Sequence, residues 1–188
     1  MKENYRTYPM FAACGLNCGL CPRYHTQGTS RCPGCGGEGF YLKHPSCAII
    51  NCCQRHGGIE YCYQCEEYPC RRYQKEPTED SFITYRSVAR DINIAKESGL
   101  GTYQAVLSKK VELLEFLLKH YNDGRRKNFY CLAVNLLELE DVKETAARIQ
   151  AETGPDAGNE KERAACAVRY FEETAGKRGI ILKLKHKK

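Results

Sequence analysis

Long apolar runs are missing from this sequence. No stretch approaches the roughly 18 consecutive apolar residues that a membrane-spanning helix needs. Residues 1–6 are charged, and the apolar patch at residues 10–13 falls short of the roughly 7–15 apolar residues in the core of a signal peptide. The sequence therefore predicts a soluble, cytoplasmic protein that has no membrane partner.

Recognisable catalytic arrangements are missing as well. The sequence contains no Ser-His-Asp pattern, no glycine-rich phosphate loop after a strand, and no carboxylate pair at an informative spacing. Glu138, Glu140 and Asp141 are close in sequence, but the solvated end of a helix accounts for them. The sequence names no substrate, and it favours a binding or assembly role over an enzymatic one.

Cysteine, by contrast, is abundant in the first 70 residues. Eleven of the thirteen cysteines lie at residues 14–70, and three of their intervals are Cys-x-x-Cys. Two thiolates at this spacing can hold one ion at about 2.3 Å from each sulfur. A disulfide framework is the rival explanation, but it belongs to oxidising compartments, and an odd number of cysteines leaves one thiol unpaired. The pattern therefore predicts metal binding.

Two four-cysteine sites account for most of the clustered thiols, and cysteine-only sites are typical of structural zinc. The first predicted site consists of Cys18, Cys21, Cys32 and Cys35; the second consists of Cys47, Cys52, Cys62 and Cys65, with Cys70 as a competing ligand. The sequence does not fix the pairing between groups, and an interleaved arrangement is equally compatible with it. We therefore predict two zinc ions.

The segment Cys32-Pro33-Gly34-Cys35 is the most specific local pattern, because it resembles a zinc knuckle. Proline fixes one backbone dihedral and glycine permits positive φ, so such a turn can direct backbone N–H groups at bound sulfurs. Two four-ligand sites leave Cys14, Cys53 and Cys70 over. Each is either a small buried side chain or, for Cys14 and Cys70, part of a redox pair or of a third metal site.

An iron–sulfur cluster is the main alternative to zinc, since all-cysteine ligation suits both. The first triplet, Cys14-x3-Cys18-x2-Cys21, has the spacing of radical S-adenosylmethionine enzymes, but the chain lacks the repeating strand–helix pattern of their barrel. His25, His44 and His56 lie near cysteines and have a suitable donor atom. We expect each of them to be a solvent-exposed loop histidine.

The ordered cysteines, with the opening Cys14-Gly15-Leu16 and the closing Tyr68-Pro69-Cys70, resemble the prokaryotic cysteine-rich family known as domain of unknown function 3795. The resemblance covers about residues 10–75. It implies a metal-binding protein, with zinc as the expected metal, and without an established activity. Cys53 is an addition to the family's ten-cysteine pattern.

The second half of the sequence has helical periodicity. Apolar residues recur at three- and four-residue intervals over 82–95, 102–121, 129–139 and 142–149, and a last helix is expected to open at Asn159. Residues 180–184 alternate and predict a short strand or a docked tail. We therefore predict an α-helical plus irregular fold, in which a cysteine-rich, metal-organised module (residues 1–77) packs on a domain of four to five helices (residues 78–188). Cys131 and Cys166 are expected to be packed side chains.

Charge offers one further functional class. The formal net charge is +6, and residues 177–188 contain six Lys or Arg and no acid. Such a run attracts phosphates, and Tyr5-Arg6 and Arg71-Arg72-Tyr73 have side chains that stack on bases. Solvated ends explain these features more simply, because thiolates would make the cysteine-rich part acidic. We expect a protein or a small molecule as partner, and no nucleic acid.

Overall fold

The structure is a computed structural model, and it describes residues 6–74 and 77–186. Within these ranges it contains seven α-helices, three 3-10 helices and no strand, so the chain is mostly helical. The α-helices are α1 (Phe40–Lys43), α2 (Ala48–Arg55), α3 (Val88–Glu97), α4 (Leu100–His120), α5 (Lys127–Leu136), α6 (Leu139–Glu152) and α7 (Glu160–Lys177). The 3-10 helices are Cys18–Leu20, Gly28–Ser30 and Cys62–Gln64. Tyr5 of the Tyr5-Arg6 pair, and Lys187 and Lys188 of the basic tail, lie outside the described residues.

Helix α4 is at the centre of the helical part, because α3, α5 and α6 all pack on it. Its buried side chains recur every three or four residues and include Tyr103, Leu107, Val111, Leu114 and Leu117. Helix α7 packs on α5 and α6. The helices α3 to α7 agree with the predicted four to five. No helix within the described ranges combines the length and apolar character needed to cross a membrane.

Two predicted helix starts are wrong, and a third is confirmed. Helix α3 begins at Val88, well after Phe82, because the Tyr85 N–H donates to Asp80 Oδ1 at 2.9 Å and holds the preceding residues in a turn. Helix α4 begins at Leu100, two residues before the predicted start at residue 102. It follows directly after Gly99, whose φ of 89° marks the break from α3. Asn159 caps α7 as predicted, and its side chain accepts from the Glu162 N–H at 2.9 Å.

The cysteine-rich part contains two helices that the sequence did not predict. Helix α1 is a single turn, whereas α2 carries two cysteines and buries Ile50 and Cys53. The local apolar cluster is small and consists of Ala12, Ala13, Cys35, Phe40, Ile50, Cys53 and Cys62. Cysteine therefore supplies much of the buried surface in this part of the chain.

Three large side chains from the cysteine-rich part are buried in the same core as the helices. Phe11 lies between Tyr61 and Tyr103 of α4, with ring centroids 5.2 and 4.7 Å away. Leu20 and Tyr61 are fully buried in that cluster. The two parts of the chain therefore share one apolar core.

A buried polar network centred on Asn17 connects the same two parts. The Asn17 amide donates to Asp91 Oδ2 of α3 at 2.7 Å and to Asn135 Oδ1 of α5 at 2.9 Å. The Tyr103 hydroxyl donates to Asn17 Oδ1 at 2.7 Å. Asn17 thus bonds to three helices, directly beside the first predicted metal ligand, Cys18.

The C-terminal residues form a docked tail, which is one of the two predicted alternatives. Arg86 donates to the carbonyl oxygens of Ile181 and Lys183, at 2.9 Å each. Asp80 accepts from the Lys185 N–H at 2.8 Å and donates its own N–H to the Lys185 carbonyl oxygen at 2.9 Å. The tail thus lies along residues 80–86, which explains why this segment is not helical.

Candidate metal-binding site

The Cys32-Cys35 turn has the shape that a zinc knuckle requires. Gly34 has φ 84°, and a Cβ placed there would lie 2.5 Å from the carbonyl oxygen of Pro9. The Cys35 N–H donates to that same oxygen at 2.9 Å. Only glycine therefore fits at position 34 of the turn. The turn packs against the chain segment at Pro9, which precedes Phe11.

The Cys18 thiol lies close to the other thiols of the first predicted site and to Cys14. Burial raises the pKa of Cys18 well above its usual value, and the neighbouring thiols of Cys35, Cys14, Cys21 and Cys32 raise it further. At Cys21 burial also raises the pKa, while the backbone N–H groups of Arg23 and Tyr24 oppose the shift. These N–H groups are the kind of donor that supports a metal-bound sulfur. A cation would reverse the penalty that burial places on the thiolates.

A second group of thiols surrounds a cavity of about 30 Å³ between α2 and the 3-10 helix Cys62–Gln64. The cysteines that line it are Cys52, Cys53, Cys62, Cys65 and Cys70. Cys53 Sγ and Cys62 Sγ are 3.8 Å apart. A space of this size holds one water molecule or one ion. The structure thus brings together four residues of the second predicted set, including the competing ligand Cys70.

Cys47 is not among the residues that line this cavity. Its thiol instead lies near Cys14. Burial raises the pKa of Cys14 to about 12, and the thiols of Cys35, Cys47 and Cys62 act in the same direction. Cys14 therefore lies between the two thiol groups. Its backbone carbonyl accepts from the Tyr73 hydroxyl at 3.2 Å. This position keeps open the interleaved pairing that the sequence allowed.

The three histidines differ in their surroundings, so the expectation of three exposed loop histidines is wrong for two of them. His44 is half-buried, stacks on Phe40, and places Nε2 3.2 Å from Cys32 Sγ. His25 is half-buried and binds the Gly19 carbonyl oxygen at 2.7 Å. His56 is exposed, as expected, with Nδ1 3.7 Å from Cys52 Sγ.

Two neighbours of the thiol groups were not predicted as site residues. The first is Cys131 of α5, which lies near the Cys21 thiol. Burial, and to a lesser extent this thiol, raises the pKa of Cys131 to about 12. Cys131 and Cys166 are both buried, as predicted. His44 is the second neighbour, because it contacts Cys32. The spacing of these residues in the sequence predicts neither neighbour, because the first depends on where α5 packs and the second on where α1 packs.

The donor set fits a thiophilic metal, although its sulfurs are not arranged as a finished site. In the described parts of the chain, no three or more His, Cys, Asp or Glu side chains stand in the arrangement of a metal site. The fit rests on the chemistry of the donors: soft thiols in two groups, one of them around an ion-sized cavity. Such donors suit zinc and iron–sulfur clusters and are poor ligands for magnesium or calcium.

Comparison with known proteins identifies the cysteine-rich segment. Residues 10–75 match the family model described as "Protein of unknown function (DUF3795)". The match confirms the resemblance inferred from the cysteine spacing, over the same residues. No curated protein and no solved structure matches the chain. The family description gives no activity, so the functional argument rests on the residues of the chain itself.

Proposed function

We propose, from the premise that residues 10–75 are a segment of the DUF3795 family, that this chain is a metal-binding protein whose cysteines hold two structural zinc ions. The observation that carries the proposal is the cavity of about 30 Å³ lined by five cysteines. The lining also includes His56, Glu67 and Arg72, but its most numerous donor atoms are thiol sulfurs, which favour a soft cation. The proposed ligands there are Cys52, Cys62, Cys65 and Cys70, with Cys47 as the alternative fourth ligand.

The first site in this proposal retains Cys18, Cys21, Cys32 and Cys35. Its support is the closeness of the other three thiols to Cys18 and the glycine-dependent turn at Gly34. Cys14 is left as a buried thiol between the sites or as a ligand in the interleaved pairing. When bound at such sites, zinc supplies folding free energy and, with four thiolates around it, has no open position for an activated water.

The role proposed for the whole chain is binding or assembly. We treat residues 1–77 as a metal-organised module and residues 78–188 as the helical domain on which it rests. Phe11 and Asn17 contact the helices, so the proposed metal ligands lie directly beside the helix core. The cytoplasmic location and the protein or small-molecule partner stay predictions, as does the absence of a nucleic-acid partner.

Metal analysis of protein purified without oxygen and without added metal tests the proposal. We expect two zinc ions per chain and no visible absorption. Cys65→Ser is expected to retain about one zinc ion, because it removes a ligand from one closed site. Cys166→Ser is the matched control, since this buried cysteine lies in α7, and it should retain both ions.

Three results would contradict the proposal. Iron with a broad visible absorption band would replace it with the iron–sulfur alternative. Protein that is folded and free of metal would remove the metal role altogether. Equal zinc content in Cys65→Ser and the parent would show that the cavity is not a zinc site.

A further inference from the structure

A second cavity, distinct from the thiol cavity, lies where the C-terminal tail crosses α5. We call it the tail cavity. Its volume is about 300 Å³, and its walls include Leu20, Phe82, Ile83 and Leu132, with Leu184 and His186 of the tail on one side. This volume is at the lower end of the range for small-molecule sites. An apolar cavity of roughly half that size is enough to hold a benzene ring.

Asn135, which is 1% exposed, is one of the polar residues that line the tail cavity; the others are Ser81, Thr84, Asn128 and His186. Its Oδ1 accepts from Asn17 Nδ2 at 2.9 Å and from Ser87 Oγ at 3.2 Å. These two donors fix the orientation of the amide, since an amide nitrogen in that position would accept neither bond. Asn135 Nδ2 then has no acceptor among the described residues. A buried donor without a partner is rare in folded proteins and points to a group that is absent from the protein itself.

The charges around the cavity select a neutral ligand. None of the described residues that line it is an Asp, Glu, Lys or Arg. The Asp91 carboxylate accepts from the Asn17 amide at 2.7 Å and is paired with Arg90 at 2.9 Å. Arg90 also donates to the Asn135 carbonyl oxygen at 3.1 Å. These opposite charges offset each other, so the network favours neither an anion nor a cation next to Asn135. The acceptor that suits Asn135 Nδ2 is therefore an uncharged oxygen.

We propose that the tail cavity binds a neutral, largely apolar small molecule that directs a carbonyl-type oxygen at Asn135. The ring or chain of the ligand would lie against Leu132, Ile83 and Phe82. The tail would form the outer wall, held by the bonds of Arg86 and Asp80. This proposal involves no metal ligand, so its failure and the failure of the zinc proposal are distinguishable.

A matched pair of probes tests the need for the oxygen. The metal-loaded chain, labelled with ¹⁵N, is titrated with acetophenone and with α-methylstyrene, which has a methylene group in place of the carbonyl oxygen. We expect acetophenone to shift the Asn135 side-chain amide resonance and to bind about fivefold more tightly, the worth of one hydrogen bond. Equal affinities, or no shift at Asn135 with either probe, would overturn the proposal.

Two variants locate the binding. Phe82→Ala removes a wall residue that is 59% exposed and should weaken acetophenone about fivefold or more without unfolding the chain. Tyr41→Ala is the control, because this 45% exposed aromatic lies in α1 and does not line the tail cavity. Unchanged affinity in Tyr41→Ala is expected, and unchanged affinity in Phe82→Ala would place the probe elsewhere and contradict the assignment.

Discussion

At Gly34 the backbone conformation and the surrounding space both require glycine. The left-handed φ of 84° costs a substituted residue about 1–2 kcal/mol, and the added Cβ would also press on the Pro9 carbonyl. We expect Gly34→Ala to lower the free energy of unfolding by about 2–4 kcal/mol in urea titrations with zinc present. Gly57→Ala is the control, since Gly57 has φ 80° but open space around it. A loss equal in both variants would mean that the contact with Pro9 is not restrictive.

Lys110 is a buried cation on α4, and its environment predicts a pH dependence of stability. The side chain is 4% exposed and donates to the Leu137 carbonyl oxygen at 2.5 Å. Burial lowers its pKa to about 8, and the nearby Arg90 acts in the same direction. In the unfolded chain the pKa returns to about 10.4. Between these values the unfolded state binds more protons, so this group makes the protein more stable as the pH rises from 8.

The expected size of this effect is about 1–2 kcal/mol between pH 8 and pH 9.5. It is measured as the difference in unfolding free energy between the parent and Lys110→Met at each pH, because the difference removes the contributions of tyrosines and thiols that titrate in both. Lys110→Met should lose the upward slope. A difference that stays constant with pH would show that Lys110 is charged in the folded state throughout this range.

At the scale of elements, the tail is held by the bonds of Arg86 and Asp80 and by the packing of Ile180 and Leu182 against the core. Ile181 is 72% exposed, whereas Arg86 bonds two tail carbonyl oxygens. We expect Arg86→Gln to increase the hydrogen-exchange rate of the Lys185 amide about tenfold, since loss of these bonds makes local opening easier. Arg125→Gln is the matched control and should leave this rate unchanged. An unaltered rate in both variants would mean that the Asp80 bonds and the apolar packing hold the tail without Arg86.

Elements with a regular apolar period could be predicted from the sequence, and elements defined by contacts could not. The apolar period of α4 and the Asn159 cap of α7 could be predicted because each depends on residues that are close together in the sequence. The start of α3 could not, since it depends on Asp80 and on the tail more than a hundred residues away. In the site, Cys-x-x-Cys spacing predicted that Cys18 and Cys21 share one turn and that Cys62 and Cys65 share another. It did not indicate that Cys70, and not Cys47, lines the small cavity, because that depends on how α2 packs.

For the whole molecule, Asn17 connects the cysteine-rich part by hydrogen bonds to α3, α4 and α5, and we expect these parts to unfold together. Asn17→Ala removes partners from Tyr103, Asp91 and Asn135, all of them buried. We expect a loss of about 2–4 kcal/mol in the free energy of unfolding. Far-ultraviolet circular dichroism and tyrosine absorbance should report one shared transition in the parent.

The control for this prediction is Asn51→Ala. Asn51 also lies in the cysteine-rich part, but its side chain donates to the exposed Ser46 hydroxyl at 2.8 Å. Its replacement should change the free energy of unfolding by less than about 0.5 kcal/mol. Equal effects at the two positions would mean that the Asn17 network contributes nothing beyond a surface bond.

The burial of Phe11, Leu20 and Tyr61 against α4 constrains how the 10–75 segment is reused in evolution. This segment ends before α3, yet three of its largest side chains need an apolar surface that it does not contain. A homologue that joins the same segment to an unrelated C-terminal sequence must therefore supply an equivalent surface there. Co-inheritance of the cysteine spacing with an apolar helix resembling α4 is the genomic signature that this packing predicts.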